Sequence, residues 1–554
     1  MKRPGTLPGL MRFLYTQNPF YAISAGLVLY GIRAAFQSDA ARADDPWLLA
    51  LALCGYTSLM AIAAVLVVKL GKVWEDARSI VLILLFQFAA ISMSFDRICA
   101  VAPRDALRLL SFGFVFSALI TEGIIGLLRL RFPALFRIPY YAFLSLMFFY
   151  PLCVSPEGLD TSVNAVSWKI YLFPVLAGVI FLTLIPAARR GAAYVAKNGT
   201  PWSWPLYPWT AFAFLAFAVG VRSYVLAYSF GLMGMQNAFG GYYLAPLLLA
   251  LLFLLAEVAV QGRHHRLQTS LMVLAPAILL LSIPWRNNFV YTRFLQMFTE
   301  TVGSPIWLAL MGLVVFYAYA WWRRLRGAEF GVMSMLALTC CVGRATVDWS
   351  TVASLQWWPL AVIGLVQFSM ALHRRSSLRG MTACISLVAA SSVALRGTFY
   401  VTHGGVIPVH LLMGCALMIG LIRDDRFALL VRRVGAACIG LATLVAVLPL
   451  SSLPVSDSLR LGYAVVTASV AVGYWVLVRD RWWLYSALLN ACGAAYFTVW
   501  WSYWQLEASV GPAVGVPLAG GALCFLIAAG ISAAKAGLWK RLRTRLPTVL
   551  GAKT

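Results

Sequence analysis

Residues Gly240–Arg266, GGYYLAPLLLALLFLLAEVAVQGRHHR, decide the class of fold. A Gly- and Tyr-rich entrance leads into about 20 mostly apolar residues, and a cluster of Arg and His closes the run. At 1.5 Å rise per residue, a helix of that length crosses a hydrocarbon core of about 30 Å. Tyr242 and Tyr243 suit one membrane interface, whereas Arg263, His264, His265 and Arg266 suit the cytoplasmic side of the other. Most of the chain is this unit again, written alternately forwards and backwards.

Working outward, apolar windows of this kind recur from 18–36 at the start to 512–534 near the end. They predict an all-α, polytopic integral membrane helix bundle with about 18 transmembrane helices. The windows at 269–285, 330–347 and 407–422 are short or interrupted. Residues 1–17 form a basic cytoplasmic N-terminus, 18–534 the transmembrane domain and 535–554 a basic cytoplasmic tail. The first apolar run has no clear small-residue cleavage site, so it reads as a retained helix rather than a removed signal.

Composition agrees. The 554 residues are 62% hydrophobic and only 11% charged, whereas a soluble domain is roughly half apolar and a quarter charged. No polar stretch reaches the ~50 residues a soluble domain requires. The net charge of +25 suggests either nucleic acid or membrane topology. Nucleic-acid binding gathers basic residues on one face or arm. Here 32 of the 44 Lys and Arg fall on every second connection, in small groups. That is the distribution of positively charged cytoplasmic loops, and it places both termini inside. A missed or invented helix would invert every later loop. The tail sequence LWKRLRTRL, 538–546, is expected to lie against anionic lipid headgroups. Membrane lipids are therefore the expected partner, nucleic acid is not, and a multi-pass place in an inner (plasma) membrane is expected.

Ionisable groups inside a span are costly, which makes them functional candidates. Arg222, in FLAFAVGVRSYVLAYSF, is too deep for easy snorkelling and needs a carboxylate, backbone carbonyls or water. It serves either an ion pair or a substrate. Glu122, in SALITEGIIGLLRL, either pairs with Arg222, stays protonated or relays protons. Glu257 lies about one turn from its helix end and reads as an interfacial, solvated carboxylate. A looser set gathers toward the outer face: Asp96 with Arg97, Arg344 and Asp348 at i,i+4 spacing, Arg396, His403 and His410. Local pairing explains Arg344 with Asp348 as well as a vestibule does. His410 is either a proton acceptor or a hydrogen-bonded group at a helix end.

The ten cysteines show no CxxC spacing, and those within spans act as small hydrophobes. No zinc motif, phosphate loop, nucleophile elbow or dinucleotide fingerprint occurs, so no metal or cofactor is expected. Three functional classes remain. The first is a transporter or permease of a small or amphipathic solute. The second is a non-catalytic scaffold, sensor or complex subunit. The third is a membrane-embedded enzyme acting on a lipid or polyprenyl-linked substrate. Convergence of Arg222 and Glu122 on one wet cavity favours the first, and a convergent acid–base group at the outer face favours the third.

Overall fold

The computed structural model describes residues 20–38, 46–154, 163–230, 239–284, 289–346, 355–396, 398, 405–447 and 456–537. Among these residues every regular element is an α- or 3₁₀-helix. The chain divides into two units, Met1–Ile363 and Gly364–Thr554.

The first unit begins with α1 (Phe20–Ser38), α2 (Pro46–Lys69), α3 (Trp74–Ser94) and the short α4 (Asp96–Val101). It continues with α5 (Pro103–Leu127), α6 (Ala134–Val154), α7 (Val163–Leu182), α8 (Ile185–Tyr194) and α9 (Leu206–Ser229). A 3₁₀ turn, Gly241–Leu244, leads into α10 (Ala245–Gln261), followed by α11 (His265–Leu274) and α12 (Ile278–Leu281). Then come α13 (Phe289–Thr301), α14 (Pro305–Trp322) and α15 (Ala328–Cys341). Helix α16 (Trp357–Arg374) crosses the division between units. The second unit holds α17 (Ser377–Ala394), α18 (Val406–Ile422), α19 (Arg426–Val447), α20 (Asp457–Val478), α21 (Arg481–Val510) and α22 (Pro512–Lys535).

Twelve helices among the described residues are both long and apolar enough to cross a membrane. Four further apolar stretches, Phe20–Gly31, His265–Leu281, Ala328–Cys341 and Val406–Ile422, are shorter. The windows 269–285, 330–347 and 407–422 fall on three of these four. The 14 residues of α15 rise only about 21 Å, less than a ~30 Å core. Between α11 and α12 the 3₁₀ turn Ala275–Ala277 interrupts the run at Pro276, which has no N–H to continue the ladder. Helices α16 and α21 are long enough but not apolar enough to count among the twelve. The N-terminus 1–17 and the tail beyond Gly537 lie outside the described residues.

Local chemistry explains many of the helix ends. Proline occupies the first turn of α5, α10, α14 and α22, where its missing N–H has no intrahelical partner to lose. Ser304 caps α14 by accepting from Trp307 N–H at 3.2 Å. The C-termini follow a second rule. All seven non-glycine residues with positive φ among the described residues are Lys or Arg: Lys72, Arg129, Lys197, Arg263, Arg324, Arg375 and Arg479. Each lies just past a helix end, at the position where glycine is usual. The backbone makes the matching Schellman bonds, such as His264 N–H to Ala259 O at 3.1 Å and Leu325 N–H to Ala320 O at 3.0 Å. A left-handed residue with a Cβ costs ~1–2 kcal/mol. The cation returns ~0.3–1 kcal/mol from the helix dipole, and about 1 kcal/mol more beside an anionic membrane surface.

The first unit has the larger core. Phe143 meets Phe181 at 4.3 Å between ring centroids, and Phe136 packs among Tyr194, Trp209 and Phe212. Tyr242 and Tyr243 are packed inside the protein rather than on its surface. They are 3% and 1% exposed, within an aromatic cluster that includes Tyr171, Phe294 and Phe298. The Gly240–Gly241 entrance turns the chain inward there, and a Cβ on Gly241 would lie 2.9 Å from the Leu281 carbonyl oxygen.

In the second unit Tyr474 packs on Trp483 at 4.2 Å, and Thr443 hydrogen-bonds Thr467 across α19 and α20 at 2.8 Å. Asp425 joins two helix starts. Its carboxylate accepts from Ala428 N–H of α19 at 2.7 Å and from Ser377 N–H of α17 at 3.0 Å. Desolvation raises its pKa, but these two N–H donors, together with the Ser377 side chain and the charge of Arg423, outweigh it and hold the carboxyl below the usual aspartate value.

Candidate functional site

The polar groups at membrane depth in the first unit concentrate where α3, α5, α6 and α9 pack together. Gly113 lets them close. A Cβ there would sit 2.6 Å from Phe148 of α6 and 3.2 Å from Ile91 of α3.

Arg222 of α9 is fully buried and pairs with Asp96, not with Glu122. Its Nη1 donates to Asp96 Oδ2 at 2.5 Å and its Nη2 to Asp96 Oδ1 at 2.7 Å. Nη2 also reaches Ser92 Oγ at 3.2 Å, and Ser92 Oγ–H donates to Met147 O of α6 at 2.5 Å. One ion pair thus ties α9 to the α3–α4 break and, through Ser92, to α6. Planar two-point contact suits a guanidinium held out of water.

Glu122 lies near the opposite end of the same bundle, with its side chain 36% exposed. Arg137 Nη2 contacts its carboxylate at 2.5 Å, Arg137 Nε donates at 3.0 Å, and Tyr141 O–H donates as well. Between the two ion pairs runs a line of neutral polar groups. Ile91 faces Gly113, so on these antiparallel helices Gln87 and Ser117, one turn further along each, share a level. Gln87 is 1% exposed and Ser117 fully buried. Neither amide atom of Gln87, nor Ser117 Oγ, has a hydrogen-bond partner among the described residues. One turn on, Thr121 Oγ1 bonds both Ser117 O and the Tyr140 hydroxyl, at 2.8 Å each. The order along the bundle is Asp96–Arg222–Ser92, Gln87–Ser117, Thr121–Tyr140, Glu122–Arg137.

Glu257 corrects its sequence reading. Its side chain is fully buried rather than solvated, because α8 and α14 cover the end of α10. Arg189 Nη2 reaches Glu257 Oε1 at 3.2 Å and Arg323 Nη2 donates to Oε2 at 2.9 Å, while Tyr319 O–H donates as well. Two arginines on one carboxylate make this a clasp of three helices.

Of the rest of the outer set, Arg344, Arg396 and His410 lie among the described residues. Arg344 Nη2 donates to Thr301 O at 3.0 Å, and its own carbonyl accepts from Ser304 N–H at 2.7 Å. Asp348 and His403 lie outside the described residues. Arg396 is exposed just beyond α17. His410 is exposed on α18, with Nδ1 2.7 Å from Val406 O and Nε2 3.0 Å from the Tyr463 hydroxyl. Arg344 belongs to the first unit, and Arg396 and His410 to the second. The second unit has its own buried amide, Asn490 on α21, with neither side-chain polar atom partnered among the described residues.

Sequence reasoning singled out Arg222, Glu122 and Asp96 but missed Gln87, Ser92, Ser117, Arg137 and Tyr141. Their one sequence signal is polarity within an apolar run, which serine and threonine routinely show by bonding the preceding turn. Gln87, Arg137 and Tyr141 are not of that kind, and no signal in the sequence joins them to the others.

These helices and intramembrane pairs define the class: a multi-pass integral membrane protein. No protein-family model matches the chain, and comparison with curated proteins and with solved structures finds no significant similarity.

Proposed function

We propose that the protein is a transporter, and that a small polar solute or proton passes along the line from Asp96–Arg222 through Gln87 and Ser117 to Glu122. The observation that carries this reading is the amide of Gln87, buried at mid-span with no partner at either end among the described residues. An unsatisfied amide surrounded by hydrocarbon costs several kcal/mol, so a polar guest belongs at this level. Groups able to exchange protons or hydrogen bonds lie above and below it. The basic ends of the helices, including the seven left-handed Lys and Arg turns, are assigned to the cytoplasmic face of an inner (plasma) membrane, with both termini on that side.

The test is flux in liposomes reconstituted with the full chain and loaded with a pH-sensitive dye. Gln87→Leu and Glu122→Gln should each abolish proton-linked flux while the folded, monodisperse protein is retained. Equal flux in wild type and Gln87→Leu would refute the route. A second reading, a non-catalytic scaffold or complex subunit, draws on a different observation. Arg222, Glu122 and Glu257 are each closed into an ion pair within the protein. Absence of any flux, together with copurifying protein partners, would favour it.

A further inference from the structure

The basic end of the same bundle carries a second feature, an elongated crevice of about 160 Å³ between α3, α5 and the start of α9. Its α3 wall is one broad helical face that runs from Trp74, Ala77 and Arg78 through Val81, Leu82, Leu84 and Leu85 to Phe88. From Trp74 to Phe88 that face rises about 21 Å, and one leaflet of a ~30 Å core is about 15 Å deep. The opposite wall is Thr121, Ile124, Ile125 and Leu128 of α5, with Tyr140 of α6. The lining is almost wholly apolar along its length and changes character at the mouth.

At the mouth stand Trp74, Trp202 and Arg78. The two indoles meet edge to face at 6.0 Å, and the Arg78 guanidinium lies over Trp202 at 5.4 Å. The mouth is preformed. Arg131 N–H donates to Asn198 O at 2.9 Å and Tyr207 O–H donates to Arg131 O at 2.9 Å, which fastens the Trp202 segment to the end of α5. Lys72, Arg129 and Arg131 each lie within two residues of a lining residue. Glu75 and Asp76 fall off this face and do not line the crevice.

We infer that this crevice takes the upper methylenes of one acyl chain of an anionic phospholipid, with the phosphate against Arg78. The charge of the rim selects the headgroup, the apolar depth takes the chain, and paired tryptophans suit the level where the two meet. Phosphatidylcholine satisfies the depth but brings a quaternary ammonium to a basic rim, and a free phosphate satisfies the rim but not the depth. The crevice shares Thr121 and Tyr140 with the polar line, and the lipid site stands whether or not a solute moves along that line.

The experiment is native mass spectrometry of the full chain, delipidated in nonionic detergent and titrated with phosphatidylglycerol or phosphatidylcholine. Wild type should retain one phosphatidylglycerol at least tenfold more tightly than phosphatidylcholine. Arg78→Gln should lower the phosphatidylglycerol affinity about tenfold, the loss of one charge-assisted contact. Ala211→Trp, which fills the crevice, should remove the tight adduct. Equal retention of the two lipids by wild type, or undiminished binding by Ala211→Trp, overturns the assignment. A photoreactive acyl chain on phosphatidylglycerol gives a reading independent of any variant. Crosslinks on residues 81–88 and 124–130 support the site, and crosslinks only elsewhere refute it.

Discussion

The left-handed basic turns yield a prediction whose sign depends on the surrounding lipid. Consider Arg263→Gly and Arg324→Gly, made separately. Both residues are exposed or half-exposed past a helix end, with φ of 53° and 60°. Glycine relieves a left-handed penalty of about 1 kcal/mol after allowing for its greater freedom in the unfolded chain. It forfeits about 0.5 kcal/mol of helix-dipole interaction. In nonionic detergent each variant should therefore gain about 0.5 kcal/mol of stability. In a bilayer rich in phosphatidylglycerol the lost cation costs about 1 kcal/mol more, and each variant should become about 0.5 kcal/mol less stable than wild type. The assay is unfolding of the purified full chain in detergent and in lipid nanodiscs with and without phosphatidylglycerol. The reasoning fails if the glycine variants lose stability in detergent, or if their shift is the same in every environment.

Three further outcomes follow from the packing. Asp96→Asn leaves Arg222 buried without its counter-ion and should cost about 3–5 kcal/mol, whereas Asp96→Leu with Arg222→Met should cost much less; unfolding of the single and double variants measures the difference. Gly331→Ala would place a Cβ 2.2 Å from the buried ring of Tyr317 and should destabilise by about 1–3 kcal/mol, while Gly414→Ala, with nothing within 4 Å, should be close to neutral; thermal unfolding of the two variants side by side decides it. Asp425 has a lowered folded pKa, so its contribution is present above the ordinary aspartate value and is lost as pH falls through the folded value. Stability of wild type should drop over that acid range more steeply than that of Asp425→Asn, and an identical pH profile for both would count against the cap.

How much of this was legible in sequence depends on the range of the interaction. The helical class, the apolar windows and the spacing of basic groups are local properties, and each window is read from its own residues. Windows such as 330–347 overstate their helices because hydropathy continues past the point where α15 stops at Cys341. Pairing is non-local. Arg222 visibly needed a carboxylate, but Asp96 stands 126 residues earlier, and nothing local ranks it above Glu122. Glu257 read as solvated for the same reason: its cover comes from Arg189 and Arg323, 68 and 66 residues away. Gln87 is conspicuous only once its neighbours are known to offer it nothing.

The carboxylate of Asp425 also sets an order of events. Ser377 begins α17, and the acceptor for its backbone N–H arrives 48 residues later. At about 5–20 residues per second of synthesis, that is roughly 2–10 s during which α17 has left the ribosome with its first turn incomplete. The cap can form only after α18 has returned the chain to the same side. The hairpin of α17 and α18 thus locks as a pair when its last residue and the next helix emerge together, and a nascent chain stopped before Asp425 holds two helices without their shared clasp.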